Sequence, residues 1–267
     1  MLQRNRSGFH RMTRMTLKIE SQNDVLRVVI DQEEKRNALS RATLDEIRRT
    51  FIEHAENADL RLAILTGAGE KSFAAGGDLK DLMLVKGKTA AAAMARDAKT
   101  ALAAIRSFPV PVIAALNGDA LGGGAELAVA CDMRIAAAHA RIGFIQGRLA
   151  ISSAWGGGVD LMRLVGPAKA LQFLSRSEML NAPQALASGL INDAAKEGET
   201  LEQALERFTE PMRRQAPHVM RAFKALGAHE RGHGREAMDE IETTRFSQTW
   251  AHPDHDAATE HILKRME

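Results

Sequence analysis

The chain has 267 residues, 45% of them hydrophobic and 26% charged, with a formal net charge of +2. This is the composition of a folded globular chain long enough to bury a sizeable core, and it excludes disordered and fibrous classes. One cysteine, Cys131, excludes an internal disulfide framework and favours the cytoplasm, no apolar stretch reaches the ~18 residues of a membrane span, and the weak positive charge gives no nucleic-acid footprint.

Residues 1–15 carry Arg4, Arg6, Arg11 and Arg14 and no acid, and are read as a basic N-terminal extension. "TLKIE" and "VLRVVID" flank "SQND" as a hairpin. Ser40 is a good N-cap for a helix whose Leu44, Ile47, Phe51, Ile52 and Ala55 share one face. "LRLAILTG" reads as a strand buried on both faces, followed by a loop of small residues, "GAGEKSFAAGGD". Thr89 to Ile105 places Met94, Ala98, Ala101, Leu102 and Ile105 on one helical stripe. "PVPVIAALNG", "DMRIAAA" and "ARIGFI" read as further strands, so strands alternate with helices in an α/β fold. From Gly157 the patterns are helical, and by residue 200 entirely so, the tail from Gly234 being two helices broken near "AHPDHD".

"HERGH", His229 to His233, matches the H-E-x-x-H zinc pattern by letter. Gly227, Gly232 and Gly234 surround it, so it is read as a polar interhelical turn and no metal site is expected. No P-loop spacing occurs, and "LGGGAE" lacks the glycine spacing of a dinucleotide fold.

Two glycine turns remain, "AAGGDLK" and "LGGGAEL", each after a buried strand and before a helical segment. They serve either close packing or the display of two free N–H groups at one point, as in an oxyanion hole. Glu126 lies three residues after Gly123, one helical turn in and on the same face.

With "EKRNALS", "KSFAAGGDLKDL", "PVIAALNGDALGGGAELAVACDMRIAA", "RIGF", "AWGGGVDLMRLVGPAKALQFL" and the ending "RFSQTW…D…HILKR", the chain resembles the crotonase, or enoyl-CoA hydratase/isomerase, superfamily from about Thr16 to Arg265. The resemblance implies a right-handed spiral of β-β-α units over residues 16–199 and a C-terminal helical trimerisation region over residues 200–267. It further implies a homotrimer or dimer of trimers, an acyl-CoA thioester substrate and no separate cofactor. Carried over by position, the N–H groups of Gly77 and Gly123 form the oxyanion hole and Glu126 works on the carbon beside the thioester. Ala75, Asp78, Leu79 and Lys80 line the CoA and acyl path, and Arg36 and Ala38 lie along the CoA.

The family's hydratases use a second glutamate, and here Gln146 falls at that position. Glutamine neither takes nor gives a proton at neutral pH, which puts the two-carboxylate route in doubt. In an extended chain Arg148 shares a face with Gln146 and is a candidate for binding a substrate carboxylate. "SSAWGGG", with Trp155 as a wall of the acyl pocket, resembles the ethylmalonyl-CoA decarboxylase branch. Hydration is the leading expectation. Decarboxylation of a small branched malonyl-CoA, double-bond isomerisation, and a non-catalytic acyl-CoA- or RNA-binding role are the alternatives.

Overall fold

The computed structural model describes residues 15–22 and 24–265; the basic segment carrying Arg4, Arg6, Arg11 and Arg14 lies outside them. β1 (Leu17–Gln22) and β2 (Val25–Ile30) form the expected antiparallel hairpin, Leu17 facing Ile30. α1 (Arg41–His54) starts where the Ser40 hydroxyl accepts the Thr43 N–H, satisfying one of the helix's orphan donors. Leu44, Ile47 and Phe51 are buried as expected, whereas Ile52 is 53% exposed. One residue beyond Phe51 it has rotated about 100° off the apolar face.

β3 (Leu62–Gly67) is buried along its whole length. β4 (Ser72–Ala74) forms within the stretch expected to be a loop. α2 (Leu79–Leu82), capped by Asp78, leads to α3 (Gly87–Arg106), whose expected stripe from Met94 to Ile105 is buried. Then follow β5 (Val112–Leu116), β6 (Asp119–Leu121), α4 (Gly123–Ala130), β7 (Met133–Ala136) and β8 (Arg141–Gly143). α5 (Gly157–Val165), α6 (Pro167–Arg176), β9 (Met179–Asn181), α7 (Ala182–Ser188) and β10 (Asp193–Ala194) complete the mixed part. β6, β9 and β10 are not expected from the sequence. The rest is α8 (Leu201–Arg213), α9 (Pro217–Gly232), α10 (Arg235–Trp250) and α11 (Pro253–Lys264).

The strands sort into a six-stranded sheet, β1-β2-β3-β5-β7-β10, and a four-stranded sheet, β4-β6-β8-β9. Each pair β3/β4, β5/β6 and β7/β8 sends one strand to each sheet before the chain moves on, which is the step of a β-β-α spiral. β4 and β6 are parallel, with Ser72 opposite Asp119. Their C-terminal ends therefore lie side by side, and a glycine turn follows each. Gly124, on the first turn of α4, packs on β4 so closely that a Cβ would lie 2.0 Å from the Ala74 carbonyl oxygen.

The C-terminal helices are tied to this core by buried charge. Asp160 of α5 pairs with Arg106 of α3 (2.7 Å), Arg231 of α9 (3.1 Å) and Arg235 of α10 (2.6 Å). "HERGH" is not the expected turn, because α9 runs through Gly232. The Arg163 guanidinium donates to the carbonyls of Glu230, Arg231 and His233, satisfying acceptors that a helix end leaves open.

Candidate active site

Both glycine turns open into one cavity of about 500 Å³. The first is pinned by Leu39, whose N–H donates to the Gly76 carbonyl (2.8 Å) and whose carbonyl accepts the Asp78 N–H (2.9 Å). Gly76 turns the chain at φ +104°, a conformation that side chains disfavour. The Gly77 N–H that follows donates to no group among the described residues. Gly123 opens α4, so its N–H has no acceptor within the helix and lies at the positive end of the helix dipole. The turns touch, since a Cβ on Gly76 would lie 3.9 Å from the Gly123 nitrogen.

The Trp155 indole lies behind both turns. A Cβ on Gly123 would approach its ring to 2.3 Å, and one on Gly77 would lie 3.6 Å from it. Glycine at 123 is thus required by close approach to an aromatic ring.

Glu126 projects from the first turn of α4 and is 2% exposed. Its carboxylate accepts from Gln146 Nε2 (2.9 Å) and from the N–H groups of Ala154 (3.3 Å), Trp155 (2.7 Å) and Gly157 (2.9 Å). Burial, and next the charge of Glu242, raise its pKa to about 7, despite these donors. A carboxyl group titrating near neutrality is suited to move a proton in either direction.

Glu242 and Lys99 are neighbours of the Glu126 loop that the sequence does not single out. Glu242, from α10, accepts from Ser153 Oγ (2.8 Å) and from the N–H groups of Gly156 (2.8 Å) and Gly158 (3.0 Å). Lys99 Nζ pairs with it at 2.9 Å and donates to the Ala154 carbonyl at 2.9 Å. A signal was present: Ala95, Lys99, Leu102 and Arg106 recur at buried helical spacing, so two cations stand where apolar residues belong.

Gln146 meets Glu126, but Gln146–Leu149 is a 3-10 turn rather than the extended strand expected. At three residues per turn, positions two apart diverge. Gln146 is buried, while Arg148 is exposed and donates to the Ser177 carbonyl (3.0 Å). With Gln146 Nε2 given to Glu126, its Oε1 is buried with no partner among the described residues.

Ala75, Leu79, Arg148 and Trp155 line the cavity, together with Gly77, Gly123, Glu126 and Gln146. Arg36, Ala38, Asp78 and Lys80 are not part of that lining. Arg36 donates from Nε to Ser72 Oγ (3.2 Å), and Asp78 accepts the Lys80 N–H (3.0 Å) as cap of α2. Ala38 is half-buried and Lys80 exposed.

Phe246, Trp250 and His255 also line the cavity, so the region expected to mediate trimerisation closes the site of its own chain. Trp250 donates to the Val85 carbonyl (3.3 Å) and lies 4.3 Å, centroid to centroid, from the His255 ring. His255 Nδ1–H donates to the Leu149 carbonyl (2.8 Å). Among the described residues no helix is long and apolar enough to cross a membrane, and no group of three His, Cys, Asp or Glu residues is placed to hold a metal ion.

A parallel-stranded spiral, with two glycine turns and a buried glutamate on one cavity, defines the crotonase fold. The family model for enoyl-CoA hydratase/isomerase matches residues 20–265. The chain is 33% identical over 219 residues to a probable enoyl-CoA hydratase of Bacillus subtilis, covering 82% of this chain and 84% of that protein. It is 37% identical over 183 residues to a crotonyl-CoA hydratase of Syntrophomonas wolfei, 68% of this chain and 70% of the relative. The crystal structure of an enoyl-CoA hydratase/isomerase from Xanthobacter autotrophicus superposes with a TM-score of 0.84 at 26% identity, over 94% of each chain. The chain belongs to the enoyl-CoA hydratase/isomerase family and is an enzyme of that family.

Proposed function

We propose that the protein stabilises the enolate of an acyl-CoA thioester and acts as an enoyl-CoA hydratase-type lyase. The thioester oxygen takes the N–H groups of Gly77 and Gly123, each such donor contributing ~10²–10³ in rate. Glu126 moves the proton at the adjacent carbon. The observation that carries this reading is the buried Glu126 carboxyl, with its pKa raised to about 7, on the same cavity as both glycine turns.

Gln146 supports a second reading. Its amide meets Glu126 where a second carboxylate is expected, leaving one titratable group of the usual pair. Decarboxylation of a small branched malonyl-CoA also yields a thioester enolate and needs only one, as does isomerisation of a double bond. Arg148 lines the cavity and is the candidate for holding a carboxylate in that case.

Self-association as a trimer or dimer of trimers is supported by exposed apolar Phe223, Leu226 and Ile241 on α9 and α10. Buried, unpaired Cys131 fits a reducing cytoplasmic compartment.

Mass spectrometry after separate incubation with crotonyl-CoA and ethylmalonyl-CoA tests the reading. Addition of water to crotonyl-CoA supports hydration, and loss of carbon dioxide from ethylmalonyl-CoA moves the protein to the second reading. An absence of any acyl-CoA binding overturns both.

A further inference from the structure

A second cavity of about 280 Å³ is lined by α1, by α3 and by Leu82 and Trp155, and shares neither Gln146 nor α11 with the first. Three side chains, Leu82, Met94 and Trp155, line both cavities. All three are at least nine-tenths buried, so they form a wall inside the protein rather than at its surface. Beyond that wall the buried lining is apolar, Leu44, Ala98 and Ala101, while the polar rim of Arg41, Asp45, Arg48, Asp97 and Thr100 is exposed or half-buried. Both rim arginines are already paired, Arg41 with Asp81 and Arg48 with Asp45.

We propose that Leu82, Met94 and Trp155 are a partition that ends the acyl chamber, and that the cavity behind it is a latent site for the distal methylenes of a linear aliphatic acyl chain. The inference rests on the acyl-CoA reading above. Its occupant follows from placement and chemistry: the wall stands against the two glycine turns, and the buried lining beyond it is apolar, with both rim arginines paired and Asp97 and Thr100 at the exposed rim. Trp155 is fixed at both ends, its backbone N–H donating to Glu126 at 2.7 Å and its ring lodged against Gly123. The wall therefore holds closed in the native protein and selects short acyl groups. Trp155 sets the length limit while its backbone helps to position Glu126.

Titration calorimetry of the full-length protein with butanoyl-, octanoyl- and dodecanoyl-CoA tests this. Native protein is expected to favour butanoyl-CoA. Met94→Ala, which opens the wall from α3 and removes none of the hydrogen bonds to Glu126, is expected to reverse the order. Each methylene newly buried should strengthen binding about fourfold. Trp155→Ala should act likewise if it folds. Adding Ala98→Leu to Met94→Ala fills the second cavity and should cancel the dodecanoyl-CoA gain while leaving butanoyl-CoA unchanged. An unaltered order of affinities in Met94→Ala, with butanoyl-CoA still bound, overturns the partition alone. So does a gain that survives Ala98→Leu. A native protein that binds none of the three thioesters overturns the acyl-CoA reading, and this inference with it.

Discussion

Glu126 and Glu242 grip alternate N–H groups of one loop. Glu126 takes Trp155 and Gly157, and Glu242 takes Gly156 and Gly158. The first glutamate comes from the spiral and the second from the C-terminal helices, so this loop is the seam along which the two parts meet at the site. Lys99 pairs with Glu242, whereas Glu126 has only neutral donors, which offset burial and the Glu242 charge in part.

Removing the charge of Glu242 should therefore retune Glu126. Glu242→Gln keeps an acceptor for the loop but deletes the negative charge that raises the Glu126 pKa and leaves Lys99 unpaired, both favouring ionised Glu126. The acid limb of the pH dependence of kcat/KM is expected to move to lower pH. A limb that stays in place or moves up contradicts the coupling.

Glu126 also imposes a slope on stability. Its pKa is raised in the folded state, so between the ordinary carboxylate value and about 7 the folded protein holds a proton that the unfolded chain releases. Stability should fall as pH rises through that window. Urea unfolding across the window should show a shallower decline in Glu126→Gln than in the native protein.

Gln146→Glu should restore the missing acid-base partner. Two carboxylates in contact share a proton, one of them titrating well above the other. Hydration of crotonyl-CoA is expected to rise by ~10² or more, the usual contribution of a general acid-base group, and its pH profile to gain a second limb. An unchanged rate and a single limb would place the deficit elsewhere than at Gln146.

Asp160 should hold the C-terminal helices. Burial alone would raise its carboxyl pKa, but Arg106, Arg231 and Arg235 outweigh that and hold it far below the ordinary value. Its contribution is thus complete above the ordinary carboxylate pKa and is lost as pH falls below it. Asp160→Asn leaves buried Arg106 with no carboxylate, while Arg231 keeps Asp132 and Arg235 keeps Asp239, and should cost ~3–5 kcal/mol because buried charge is left uncompensated. Thermal unfolding at neutral pH measures this, and a native-like Tm contradicts it.

The hairpin, α1, β3 and the α3 stripe were legible in the sequence because each rests on local pattern: alternation, a serine cap, one apolar run, one helical period. Both glycine turns and Glu126 were legible for a related reason, since two turns of the same kind follow two buried strands. β4, β6 and β9 have three residues each and β10 two, too few to show alternation. The Gln146–Leu149 turn defeated the extended reading because its closure depends on Ala150 at φ +53°, for which an alanine gives no warning. Glu242 and Trp250 reach the site through tertiary packing across more than a hundred residues, and the ending "RFSQTW" marks the family without marking either residue as part of the site.

Butanoyl-CoA in deuterated water tests enolate formation at Glu126 without presupposing hydration or decarboxylation. Native protein should wash deuterium into the carbon beside the thioester, and Glu126→Gln should bind the same thioester yet lose that exchange by ~10² or more. Equal exchange in the two proteins, or none in a native protein that binds butanoyl-CoA, would contradict it.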